Sequence, residues 1–197
     1  MANKVKFGLK NVHYAIVTET PNAQTGEITS TYGTPKKWPG AVSLSTDPAG
    51  TDDENFDADD GVYYVIQGAN QGYTGTFESA LVPDDVVTAV LGARTDDDGV
   101  IVESSDDVRK YVSLMFEIDG DVEARRFVYY KVLFSRNALS ASTKVSNGTN
   151  TPQTDTNNFT AVPRPDDNLT RSFTSAGTTA AVYSAWYNSV FEPTFTP

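Results

Sequence analysis

The sequence predicts a mainly β fold, a β-sandwich or partial barrel with one flanking α-helix, in a single domain over residues 1–197. Three observations carry that expectation. Apolar and polar residues alternate at period two along most of the chain. The alternating runs are rich in Val, Ile, Tyr and Thr, which suit a pleated, half-buried surface. Only one stretch carries the punctuation of a helix. With 197 residues, ten Tyr and ten Phe, the chain is long and aromatic enough to bury a real core.

In order, the first strand is read at Val12 to Thr18, where Val12, Tyr14 and Ile16 share one face and His13 points to the other. A turn-rich stretch, PNAQTGE, leads to a second strand at Ile28 to Tyr32. Further strands are expected at Val42 to Thr46, Val62 to Gln67, Tyr73 to Ala80 and Val100 to Glu103. The helix lies at 83–92: Pro83 and two Asp suit a first turn, and Gly92 suits a left-handed stop. Its Val86, Val87, Val90 and Leu91 form one stripe that should lie against a sheet. Residues 111–134 read as a hairpin about Asp119-Gly120-Asp121, with a three-residue loop setting Ile118 opposite Val122 and Phe116 opposite Ala124. After residue 138 the chain turns to Ser, Thr, Asn and Pro, with weaker strands near Thr143 to Ser146, Phe159 to Val162 and Arg171 to Thr174. Tyr183, Trp186, Tyr187 and Phe191 close the chain, as an arm over about 175–197 or as a last core strand.

The formal net charge of −11 is unevenly spread. Residues 1–46 hold five bases and two acids, net +3; residues 47–123 hold twenty acids and three bases, net −17; residues 124–197 hold seven bases and four acids, net +3. So acidic a chain is not expected to bind nucleic acid in the ordinary way, which depends on Lys and Arg displacing counterions from phosphate. Without a cysteine the chain has no disulfide framework, Cys-based zinc site or thiol nucleophile. No apolar run is long enough to span a membrane, and the N-terminus lacks the apolar segment of a signal peptide, so a soluble intracellular chain is expected.

His13 is the only histidine, so any Ser-His-Asp arrangement must use it, and no GxSxG elbow accompanies it. Paired carboxylates are abundant enough for a glycosidase by residue type alone. Calcium-loop spacing fails twice: aligning Gly99 puts Arg94 first and Ser105 twelfth, and aligning Gly61 puts Phe56 and Ala58 at ligand positions. No glycine-rich phosphate loop follows a strand.

The segments NKVKFGLKNVHYAIVTE, PKKWPGAVSLST, FDADDGVYYVIQGANQGYTGTFESALVPDDVVTAVLG, RRFVYYKVLFSR, Pro152-Gln153-Thr154 and WYNSVFEPTF, taken in that order, resemble the major tail proteins, or tail tube subunits, of siphophages that infect Gram-positive bacteria. The resemblance runs from about residue 3 to residue 195; segments 47–61 and 92–110 depart from it in being unusually Asp-rich. It implies the tail tube fold shared with type VI secretion tube proteins, and hexameric rings stacked into a hollow tube in the virion tail. It also implies synthesis in the host bacterial cytoplasm, and as partners the tape measure, tail terminator and distal tail proteins. DNA would transit the lumen without sequence-specific binding, and no membrane, cofactor, metal or catalytic residue is implied.

Residues 47–61 suit a loop that orders against a neighbouring subunit, which makes Asp52, Asp53, Glu54, Phe56 and Asp57 candidate contacts, with Trp186, Tyr187 and Phe191 as candidates on the C-terminal arm. Asp119, Asp121 and Glu123 are candidate lumen-facing acids that keep DNA off the wall within a screening length of about 8–10 Å. Basic ends meeting the acidic loops of neighbours would make assembly salt-sensitive. The alternative reading is a carbohydrate- or receptor-binding β-sandwich on the virion surface, with an acidic-dyad glycosidase behind it.

Overall fold

A computed structural model describes residues 3–144, 146–148 and 151–195. In chain order its elements are β1 (Lys6–Pro21), β2 (Ile28–Tyr32), β3 (Lys36–Lys37), β4 (Ala41–Gly50), β5 (Glu54–Ala58), β6 (Gly61–Ile66), β7 (Asn70–Ser79), α1 (Asp84–Ala89), β8 (Arg94–Thr95), β9 (Ile101–Val102), β10 (Val112–Gly120), β11 (Arg125–Phe134), β12 (Asp155–Ala161), β13 (Arg171–Phe173) and α2 (Ala180–Ala185). The protein is mainly β, as its alternation requires.

One antiparallel sheet runs in the order β2-β1-β10-β11-β12-β7-β4, with β3 added to β1 and β13 to β11. Because β4 also lies beside β1, the sheet curls toward a partial barrel. Its concave side holds the main core: Val12 and Tyr14 of β1, Leu114 and Phe116 of β10, Val132 and Phe134 of β11, and Phe77 and Phe159. Trp38 is wedged among Tyr14, Phe77 and Phe134 in edge and tilted contacts at 5.0–6.1 Å. The expected helix forms as α1, and Gly92 takes φ +93° at its exit. Val86, Val90 and Leu91 enter the concave core. The buried Tyr14 hydroxyl donates to Asp85 at 2.6 Å, tying helix to sheet.

The convex side is also covered. Ala15, Met115, Val128 and Tyr130 pack under Trp186 and Val190 of the C-terminal segment. Residues 112–117 of β10 are therefore buried on both faces. A second helix, α2, stands where the sequence offered an arm or a strand; Thr179 caps it, its hydroxyl accepting from the Val182 N–H at 3.5 Å.

The β10–β11 register differs from expectation. Ile118 pairs with Arg125, Glu117 with Arg126 and Phe116 with Phe127, so the connection is longer than three residues. The reason lies outside the hairpin: the Asn3 side-chain oxygen accepts from the Val122 and Glu123 N–H groups at 3.0 Å each and holds the turn open. The tighter register would keep apolar residues on one face, a gain that vanishes where both faces are buried. Among the described residues of 143–146 no strand forms.

Candidate functional site

Between β4 and β7 the chain leaves the sheet as a separate two-stranded hairpin, β5–β6. Asp59 and Asp60 both take positive φ, 51° and 63°, the conformation of a two-residue turn whose twist matches a hairpin. The segment expected as a loop at 47–61 is thus mostly strand: β4 continues to Gly50, and β5 spans Glu54–Ala58. Its clustered Asp residues looked like loop composition, but two of them sit in the turn where left-handed φ is tolerated.

Of the eleven residues in β5 and β6, Ala58 alone is even half-buried. Phe56, Val62, Tyr63, Tyr64 and Ile66 are 50–72% exposed. Apolar side chains stand clear on both faces, which a lone hairpin in water does not sustain well; contiguous apolar exposure of this kind marks an interaction surface. Residues 51–67 also carry six acids and no base.

The root of the hairpin is braced. Thr51 N–H donates to the Ala69 carbonyl at 3.2 Å, Ala69 N–H to the Thr51 hydroxyl at 2.8 Å, and Gly68 N–H to an Asp53 carboxylate oxygen at 2.8 Å. A Cβ on Gly68 would come within 1.8 Å of the Thr51 carbonyl oxygen, so the crossing strands admit only glycine there.

The eight candidate contact residues therefore part company. Asp52, Asp53, Glu54, Phe56 and Asp57 lie on the exposed hairpin and its root. Trp186, Tyr187 and Phe191 are spent inside the chain: Trp186 is buried and stacks on Phe191 at 5.2 Å, and Tyr187 stacks on His13 at 4.5 Å. Two polar anchors hold this outer layer. In the first, buried Glu117 pairs with Arg126 at 3.0 Å and accepts from Tyr187 at 3.4 Å, while Arg126 lies over the Tyr183 ring at 3.8 Å. Burial, followed by the nearby Glu117 charge, pushes the Tyr187 hydroxyl far up. In the second, Arg164 donates to Asp167 at 2.6 Å, Tyr32 at 3.1 Å and Glu192 at 2.9 Å, with Tyr130 beneath it. The guanidinium holds the Asp167 carboxyl below the usual carboxylate range, and burial pushes the Tyr32 hydroxyl up to about 12.

Asp119, Asp121 and Glu123 gather at the β10–β11 connection. Asp119 is paired with Lys10 at 2.6 Å, and Asp121 accepts from the Lys4 N–H at 2.8 Å. Asn3 donates to the Glu123 carbonyl at 2.5 Å. The Lys10 ammonium is pushed up by Asp119. Part of this turn's negative charge is therefore answered within the chain.

Tyr63, Tyr64, Val65 and Ile66 are bare, whereas the strand expected at Val62 to Gln67 is of the half-buried kind. The available signal was the unbroken run VYYVI, which lacks the alternation of a strand with one wet face. Among the described residues, no group of three His, Asp or Glu side chains converges to hold a metal ion. No protein-family model matches the chain, and no curated protein matches it significantly.

Proposed function

We propose that this chain is a tail tube subunit of a siphophage, a self-assembling virion protein that forms stacked hexameric rings around the path of the genome. The observation that carries the reading is the β5–β6 hairpin: a braced arm with exposed apolar residues on both faces, projecting from a domain whose own core is complete. Such an arm is costly in water unless a second surface covers it, and a second copy is the partner a tube supplies. The sheet supports the same reading, since its order ends at β2 and β4 with no strand beyond either among the described residues. Side-by-side subunits can close such edges across a ring, and head-to-tail contacts generate rings or open filaments. In this reading the subunit is non-enzymatic and is made in the host bacterial cytoplasm. It assembles around a tape measure protein, between tail terminator and distal tail proteins. No described helix is long and apolar enough to cross a membrane.

A second reading, glycan or receptor binding on the virion surface, draws on the same exposed Tyr63 and Tyr64, which could act as platforms for a sugar face. Negative-stain electron microscopy separates the two. Purified chain at increasing concentration should show rings or hollow tubes, and replacement of residues 53–67 by a short turn should leave a folded monomer that never assembles. Strictly monomeric particles that bind an immobilised glycan would reverse the choice.

A further inference from the structure

The hairpin needs an acceptor, and one surface of this chain matches it in apolar character, charge and position. Beneath the N-terminal segment the concave side of the curled sheet stays open, leaving a cavity of about 550 Å³ lined by Lys4, Val5, Lys6, Ile118, Arg125 and Phe127, among others. Its floor is apolar: Val5, Ile118 and Phe127 line it, Phe127 stacks on Phe116 at 5.1 Å and meets Phe173 at 5.6 Å in a tilted contact, and Val5 is 50% exposed.

The rim is cationic. Lys4, Lys6 and Arg125 have no carboxylate partner among the described residues, whereas Asp119, the acid lining the same cavity, is taken by Lys10. Asp121 and Glu123 stand nearby on the turn. Set against Lys4, Lys6 and Arg125, with Lys10 and Arg126 paired to Asp119 and Glu117, they leave the mouth with a small surplus of positive charge. The hairpin brings six acids, no base and an apolar body.

Strand registers add a direction. Gly120 pairs with Lys6 and Ile118 with Arg125, which places the mouth at one end of the sheet. Following the pairings through β12 to β7, Ser79 lies at the opposite end, near α1, and Asn70 with the hairpin root lies toward the mouth end. Arm and mouth therefore belong to the same end of the subunit. Three hydrogen bonds at the root hold the arm as a separate projection, so the occupant of the mouth comes from another copy.

We infer that the β5–β6 hairpin of one copy seats in the mouth between the N-terminal segment and the β10–β11 connection of its lateral neighbour. The contact closes a ring rather than stacking one ring on the next. This rests on the self-assembly proposed above and names the surface that receives the arm. Two parallel subunits standing side by side present the same end upward, and an arm at that end crosses onto the adjacent mouth. Stacking would instead require arm and acceptor at opposite ends.

A charge swap tests it. Variant one carries Lys4→Glu, Lys6→Glu and Arg125→Glu; variant two carries Asp52→Lys, Glu54→Lys and Asp57→Lys, which leaves the Asp59-Asp60 turn intact. All six positions are exposed, and thermal melting should match the parent chain. Alone, each variant should raise the concentration for half-assembly by about tenfold or more, since like charges then face each other. Mixed in equal amounts they should assemble again, because each arm meets a mouth of opposite sign. Native mass spectrometry of the parent should show a ring of more than two subunits. Normal assembly of variant one would overturn the acceptor while leaving self-assembly standing. Failure of the mixture, with both variants melting normally, would overturn it as well, and a closed two-copy species would overturn the lateral geometry. A parent chain that never associates would instead sink the tube reading itself.

Discussion

Two apolar runs of the same length have opposite fates in this protein. Val112-Ser113-Leu114-Met115-Phe116 lies in β10 and is buried throughout, Leu114 completely. Val62-Tyr63-Tyr64-Val65-Ile66 lies in β6 and is exposed throughout, with Tyr63 at 72%. Both are strands, both lack period-two alternation, and both belong to antiparallel hairpins. The difference is what lies above and below. β10 has α1 and Trp38 on one side and the C-terminal segment on the other; β6 has only β5 beside it. An apolar run thus states a demand for cover, and says nothing about which chain provides it.

That contrast can be broken at its buried pole first. Leu114→Ala should cost about 2–5 kcal/mol, the range for emptying a tightly packed aliphatic site, and denaturant unfolding should show it as a lowered midpoint with an unchanged slope. A loss under 1 kcal/mol would mean that β10 is not the enclosed strand described here.

Removing one cover tests the two-layer account. Trp186→Ala should cost about 3 kcal/mol and raise amide exchange in β10 and β11, although the concave core is untouched. Acid should loosen the same layer. Since Arg164 holds the Asp167 carboxyl down, the detached state takes up its proton before the docked one. The anchorage is complete above about pH 4 and is lost as pH falls through the lowered value of the folded state. The two tryptophans stand one in each layer, so fluorescence of Trp38→Phe, reporting Trp186, should change at milder acidity than fluorescence of Trp186→Phe. Simultaneous changes would argue against a separately anchored outer layer.

At the root of the arm, Gly68→Ala forces the Thr51 carbonyl aside. Exchange should rise across residues 54–66 while the global melting temperature barely moves. The smallest effect on stability belongs to the exposed pole: Tyr63→Ser and Tyr64→Ser should each stay within about 0.5 kcal/mol of the parent in unfolding experiments. Their consequence should appear in assembly alone. A large drop in stability would mean that the arm belongs to the core.

Much of the fold was legible because it depends on near neighbours. The β2 boundaries, the α1 stripe with its Gly92 stop, and the opposed facing of His13 against Val12 and Tyr14 all follow from local geometry. Part of the candidate site was legible too, in the acid-rich stretch about Phe56. Its apolar half was misplaced, because Tyr63 and Tyr64 look identical whether half-buried or bare.

The sequence by itself determined a β-rich chain, one helix, and acidity concentrated between residues 47 and 123. Tertiary structure alone decided three further matters. Asn3 set the β10–β11 register, from more than a hundred residues away. The closing aromatics became an outer layer, because Arg126 and Arg164 offered anchors on the convex face that no local pattern announces. And β6 was left bare while β10 was enclosed, since burial depends on what the rest of the chain lays over a strand, and periodicity records only which side chains would gain from being covered.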